Sequence, residues 1–311
     1  GKKFIAPTSV SLVVEQLVRI IVILAGSFLL LKVFHLGLAD AIAVAVGGAF
    51  LGALASYFYL AHIIKKNKHI IDMDNNTNKI EKVINKKEIF KKLLLYASPF
   101  IMVDIGKNLY NSIDMMFLIK VMVNGMHYSV GSAETVLAII STWGNKLTTI
   151  VIAISTGILV SLIPNLTSSY VKKDHEDVNL KINQTLQILL YVTLPMTIGL
   201  SLLSEPVWTF FYGNSFWGPK VFSYFIYTAL FLTFFTTILT MLQVFNKNKM
   251  VVITLLIAII TKVALNNPLM YSFYKMGLYP FYGSITATIL GYLIAIIVSL
   301  IYLKKVFKIS Y

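Results

Sequence analysis

The chain contains no cysteine, which excludes a disulfide framework, a thiolate metal site and a cysteine nucleophile. It is also short of charge. Asp, Glu, Lys and Arg make up 13% of its 311 residues, against roughly 25% in soluble globular domains. Acids are the scarcer sign, 13 against 27 Lys and Arg. The five histidines (His35, His62, His69, His127 and His175) lack ligand spacing, so no metal site is expected. No phosphate-binding Walker loop, GxSxG or HExxH occurs, which argues against ATP hydrolysis and against serine or zinc hydrolase chemistry. A membrane-bound sugar transferase would group carboxylates near an interface, whereas Asp40, Glu134 and Glu205 stand singly at helix ends. Neither an enzyme nor a bound cofactor is expected. The first residue is Gly1 and no signal peptide precedes the first apolar run, so the chain is expected to be a piece of a longer protein.

Hydrophobicity dominates what remains. Apolar residues reach 57%, and the mean hydropathy is +0.78. Such a chain cannot cover itself with polar surface in water. The net charge of +14 would suit a nucleic-acid binder, but the lysines cluster between apolar runs and not along one face, so nucleic acid is rejected as a partner. The fold class is an all-α, polytopic membrane protein. A bilayer core takes about 20 apolar residues per helix. Eight stretches qualify, at about 8–33, 38–64, 93–121, 134–163, 183–204, 219–245, 250–274 and 279–303.

The basic residues order these spans. The segments 2–3, 65–92, 172–181, 247–249 and 304–308 hold 19 of the 27 Lys and Arg, while the alternate loops hold Lys32, Lys120, Lys220 and Lys275. Lysine excess marks the cytoplasmic side. Both ends of this chain are therefore expected in the cytoplasm of a multi-pass cell-membrane protein. The long segment 65–92 carries Ile80, Val83, Ile84 and Ile89 or Phe90 at near-helical spacing among lysines. It reads either as an amphipathic helix on anionic lipid headgroups or as a solvated linker helix. It divides the chain into two spans before it and six after it.

Seven ionisable residues fall inside spans: Glu15, Arg19, Asp104, Lys107, Asp114, Lys146 and Lys262. At roughly 2.5–3.5 kcal/mol each on insertion scales, facing lipid would cost on the order of 20 kcal/mol together. They must pair or face water. Asp104, Lys107, Asn108, Asn111 and Asp114 share an arc of about 120° on a helix. Thr142, Asn145, Lys146, Thr149 and Thr156 share a face of the next span, and Lys262 with Asn266 forms a shorter stripe beside the helix-disturbing Asn267-Pro268. Two polar stripes bearing lysines describe two walls of a hydrated chamber. Glu15 and Arg19, four residues apart, either neutralise each other or line the path. Internal pairing is likewise open for Asp104, Lys107 and Asp114. Lys146 has no acid within a turn, so it needs a partner from another helix or an anionic substrate.

Other features read as packing. Ala41, Ala45, Gly48, Gly52 and Ala55 form a small-residue stripe suited to close helix contact. The aromatic run 208–217, W-T-F-F-Y-G-N-S-F-W, suits anchoring at the outer interface. The sequons at 75–77 and 165–167 fall in loops assigned to the inside and are discarded.

The segment P-T-S-V-S-L-V-V-E-Q-L-V-R, residues 7–19, resembles the opening of the fifth helix in the polysaccharide-export family. That family belongs to the MATE-like (MOP) flippase superfamily. Within it the chain is most similar to the stage V sporulation protein B/YtgP branch, relatives of the MurJ lipid II flippases. The basic linker 65–92, F-F-Y-G at 210–213 and T-K-V-A-L-N at 261–266 fit the same pattern, and the resemblance extends over essentially the whole chain. It implies two six-helix lobes around a central cavity, with two further carboxyl-terminal helices in MurJ-like members. Residues 1–64 would then be the last two helices of the amino-terminal lobe, 65–92 a basic cytoplasmic linker and 93–311 the six-helix carboxyl-terminal lobe. The first four helices and the last two would be missing, and the cavity needs both lobes.

The resemblance further implies a flippase that moves an undecaprenyl-diphosphate-linked saccharide, lipid II or a related precursor, by alternating rocking of the lobes. Its partners would be that lipid and the surrounding membrane. Cavity cations would hold the diphosphate, and Arg19 matches the arginine of the E-Q-x-x-R motif. Lys107, Lys146 and Lys262, with Asn108, Asn111 and Asn145, join it as substrate-binding candidates from helix phase. Glu15, Asp104 and Asp114 are candidates for charge pairing or coupling. The alternative is a cation-coupled exporter of drugs or metabolites with the same fold, whose cavity would be richer in carboxylates.

Overall fold

The computed structural model describes residues 5–66 and 86–307, and it divides the chain into two compact units between Asn85 and Lys86. Among the described residues every regular element is helical. Lipid dictates this, since a membrane-spanning backbone must satisfy its own hydrogen bonds.

The first unit is a helical hairpin. Helix α1 (Ile5–Ile21) continues through two wider turns, Val22–Gly26 and Leu29–Val33, in which each amide reaches back five residues, as Phe34 N does to Leu29 O at 2.9 Å. His35 takes a positive φ of 52° at the corner, and α2 (Leu38–Lys66) returns. Asp40 stands in the first turn of α2, where a carboxylate complements the helix dipole. The seam between the helices is made of small residues. Ala41, Gly48, Gly52 and Ser56 are buried, whereas Ala45 and Ala55, expected in the same stripe, are half-buried. A Cβ added at Gly52 would lie 2.7 Å from the Glu15 carbonyl oxygen and 3.3 Å from the Arg19 Cβ. Leu12, Leu17, Leu24 and Phe28 are exposed within the unit, as lipid-facing residues should be. Gly52→Leu is expected to lower stability by about 1–3 kcal/mol through overpacking. Gly47→Leu, where nothing lies within 4 Å of an added Cβ, should change it little. Thermal unfolding of the two variants in detergent makes the comparison.

The second unit holds α3 (Lys86–Lys120), α4 (Val130–Ala138), α5 (Gly144–Val171), α6 (His175–Leu202), α7 (Ser204–Tyr212), α8 (Gly218–Phe225), α9 (Tyr227–Val244), α10 (Asn248–Lys275) and α11 (Pro280–Phe307). Helix α10 packs along α11 and against α3, and α9 packs against α5 and α11. Gly283 lets α10 and α11 approach, because a Cβ there would sit 2.5 Å from the Leu269 carbonyl.

Seven helical segments among the described residues are long and apolar enough to cross a membrane, and the chain is a polytopic membrane protein. The third of the eight expected spans forms a helix of 35 residues, about 50 Å at the α-helical rise. It is absent from those seven segments, and Lys107, Asn108, Asn111 and Asp114 thin its apolar content. Residues 86–92, expected in the linker, are the opening turns of α3; residues 67–85 lie outside the described residues. Pro268 does not break α10, which runs on to Lys275. Ser272 Oγ donates to the Pro268 carbonyl at 2.9 Å in the turn that follows. Trp208 also corrects an expectation. It is 1% exposed and packs against Trp143, Tyr212 and Phe222, so it is core and not an interfacial anchor, although Phe210 and Phe216 in the same run are exposed.

Two apolar clusters fill the second unit. One gathers Tyr110, Phe235, Leu239, Phe245, Val251, Tyr292 and Leu303. The other gathers Leu118, Met122, Ile139, Trp208, Phe222, Met270, Phe281 and Ile285. Along α3, α10 and α11 these sets are interrupted by buried polar residues: Asp114, Lys262, Asn266, Ser284 and Thr288. A polar layer thus lies within the bundle, toward the end of α3 at Asp114, midway along α10 at Lys262 and near the start of α11 at Ser284.

Candidate functional site

The layer is organised by one ion pair. Lys262 Nζ on α10 donates to Asp114 Oδ2 on α3 at 2.7 Å and to the Tyr110 carbonyl at 3.0 Å. Ser284 Oγ on α11 donates to Asp114 Oδ1 at 2.6 Å. The ammonium also lies 4.4 Å from the centre of the Tyr110 ring. Tyr110 donates its hydroxyl to the Thr288 carbonyl at 2.6 Å and stacks on Tyr292 at 4.5 Å. Both charges are buried, with Lys262 1% and Asp114 6% exposed. In a low-dielectric interior such a pair persists only when both partners are hydrogen-bonded as well as juxtaposed, and here three helices supply those bonds.

A cavity of about 70 Å³ opens beside the pair, lined by Asn111, Asp114, Asn145, Thr148, Lys262 and Tyr292 among others. Asn145 lines it from the first turn of α5, just after the wide turn Ile139–Trp143. The Thr148 hydroxyl donates to the Asn145 backbone carbonyl at 2.8 Å and lies 3.2 Å from Asn145 Oδ1.

Four sequence candidates therefore meet: Asn111, Asp114, Asn145 and Lys262. The others do not join them. Lys107 is half-buried against a narrow crevice with Gly106, Phe235 and Leu255. Asn108 and Lys146 are exposed. Neither Lys107 nor Lys146 makes an ion pair among the described residues. The side chain of Asp104 lies outside the described residues. In the first unit Arg19 Nη2 bonds Glu15 Oε1 at 2.6 Å, with both side chains partly exposed.

Two expectations change. Lys262, grouped with the cations that would meet cargo, spends its charge on Asp114. Asp114 pairs across helices and not with Lys107 on its own. Sequence reasoning missed Tyr110, Ser284, Thr288 and Tyr292. The spacing of four in Ser284, Thr288 and Tyr292 marks one face of α11, and Tyr110 lies four residues before Asp114, so a signal was present. No group of three or more His, Cys, Asp or Glu poised for a metal occurs among the described residues.

Comparison with known proteins follows the same lines. A family described as "Polysaccharide biosynthesis protein" matches residues 1–168. The chain is 34% identical over 310 residues to the lipid II flippase MurJ of Bacillus subtilis (strain 168), covering 98% of this chain and 55% of that protein. It is 27% identical over 208 residues to the uncharacterized membrane protein YabM of the same organism, covering 67% of this chain and 38% of that one. The chain thus spans about half or less of the curated relatives it matches. Among solved structures, a lipid II flippase MurJ in an inward closed conformation superposes with a TM-score of 0.63 at 18% identity, over 97% of this chain and 57% of that one. That similarity establishes a shared fold.

Proposed function

The chain belongs to the polysaccharide biosynthesis protein family, and from that premise we propose that it is part of a flippase for lipid-linked saccharide precursors. The cargo is an undecaprenyl-diphosphate-linked saccharide, lipid II or a close relative, moved across the cytoplasmic membrane by alternating access. The observation that carries this reading is 34% identity to a lipid II flippase along 98% of the chain. The physical chemistry agrees with it. A diphosphate crossing hydrocarbon must exchange water for cations, and Lys146 and Lys107 are cations within helices that no acid claims among the described residues. In this reading they are diphosphate contacts, with Asn108 as a polar neighbour, and Arg19 of the first unit is a separate candidate by its E-Q-x-x-R motif. Lys262 leaves that set and holds the helices together.

Residues 1–64 take the place of the last two amino-lobe helices and 93–311 that of the carboxyl-terminal lobe, with both ends of the chain cytoplasmic by the lysine bias. A cation-coupled exporter would want an open membrane carboxylate; among the described residues Lys262 and Ser284 bond both oxygens of Asp114, and Glu15 is paired with Arg19.

The test is accessibility labelling of lipid II in cells where the full-length gene replaces their own flippase. Lipid II labelled from the outside is the expected result. Lipid II that stays protected, in cells that gain drug efflux, would transfer the protein to the exporter reading.

A further inference from the structure

The cavity beside the ion pair differs chemically from a phosphate site. Its lining holds one cation, Lys262, already bound to Asp114 Oδ2 and the Tyr110 carbonyl. It also holds the carboxylate itself, which repels an anion. The pair cancels, and hydrogen-bonding groups of no net charge remain. Three of them have open capacity among the described residues: the side-chain amide of Asn111, the amide nitrogen of Asn145 and the hydroxyl of Tyr292. None is sealed away as an orphaned polar atom. Two of them are positioned by neighbours: the Thr148 hydroxyl lies 3.2 Å from the Asn145 side-chain oxygen, and the Tyr292 ring packs between Tyr110 at 4.5 Å and Phe235 at 5.0 Å. A volume of about 70 Å³ corresponds to about five waters at the minimum space each requires. That space admits a substituent of a few heavy atoms.

We propose that this cavity is a subsite for an uncharged hydrogen-bonding substituent on the cargo's saccharide, an acetamido or hydroxymethyl group, with Asn145 and Tyr292 as its specificity-determining residues. The proposal rests on the flippase reading above. Asn111 and Asn145 each offer a donor and an acceptor, the complement of an amide or a hydroxyl. A preformed polar pocket of this kind discriminates against cargo that leaves its groups unpaired. The division of labour is spatial: lysines without an acid partner among the described residues for the diphosphate, and this neutral pocket for a sugar substituent.

Binding of purified full-length protein in nanodiscs decides it, with three probes: undecaprenyl diphosphate, the same lipid carrying one N-acetylhexosamine, and the same lipid carrying one hexose. Wild type should bind the sugar-bearing lipids more tightly than bare undecaprenyl diphosphate. Asn145→Leu should weaken a sugar-bearing lipid about tenfold, the worth of one neutral hydrogen bond, and leave the bare lipid unchanged. Tyr292→Phe keeps the ring stack and should act in the same direction, which guards against a folding defect in the leucine variant. A larger loss on the N-acetylhexosamine probe assigns the acetamido group, and a larger loss on the hexose probe assigns a hydroxyl. Equal weakening of bare and sugar-bearing lipids, or no weakening of either, overturns the subsite while sparing the flippase reading. Failure of wild type to bind any of the three lipids overturns both.

Discussion

Lys262→Met is expected to lower the stability of the second unit by about 3–5 kcal/mol, because it strands a buried carboxylate. Asp114 is 6% exposed, and without the ammonium only Ser284 Oγ remains to serve it. Asp114→Leu should cost a similar amount for the mirror-image reason, leaving a lysine that is 1% exposed with the Tyr110 carbonyl and ring for company. The double variant Asp114→Leu/Lys262→Met should recover most of the loss. Well-packed apolar replacements of a buried pair are often neutral or better, since the desolvation penalty goes with the charges. A thermodynamic cycle on thermal unfolding in detergent measures this, with coupling of opposite sign to the two single losses. Single variants that unfold like the wild type would mean that the two charges do not share a buried site.

Lys146→Ala and Arg19→Ala, each in the full-length protein, are expected to abolish translocation while leaving membrane insertion intact. Lys146 is exposed and without an ion-pair partner among the described residues, so its removal costs the fold almost nothing. A charge-assisted bond to a phosphate is of the order of 1.5–3 kcal/mol, about a tenfold to hundredfold weaker hold on the cargo. Arg19 is coupled to Glu15 at 2.6 Å, so its alanine variant also frees a carboxylate that would repel the same anion. Lys146→Arg keeps the charge and should keep most of the activity. Rescue of a flippase-depleted strain is the readout. Full rescue by both alanine variants would remove these residues from the diphosphate contacts.

Much of this was legible because lipid leaves few options. A backbone in hydrocarbon must be helical, so apolar runs of the right length became helices. The polar arc on the third stretch includes Asn111 and Asp114, which both line the cavity, since helical phase is kept along one continuous helix. What failed was partnership. Lys262 and Asp114 lie 148 positions apart, and helix phase says which way a residue points but not what it meets. On the fourth stretch Asn145 lines the cavity, whereas Lys146 and Thr149 on the same helix and Thr142 in the wide turn Ile139–Trp143 are exposed. A 100° wheel drawn through that turn misplaces what precedes it. Trp208 was misread because its neighbours in the run do suit an interface, whereas its ring is claimed by Trp143 and Phe222.

The closed Asp114–Lys262 pair has an electrical consequence. Voltage across a membrane acts on net charge, at about 2.3 kcal/mol per elementary charge per 100 mV. A cation and an anion held 2.7 Å apart present only a short dipole to that field. The polar heart of this bundle is therefore almost blind to the potential it sits in, and any pull by voltage falls on the lysines that no acid claims among the described residues and on whatever charged headgroup they carry.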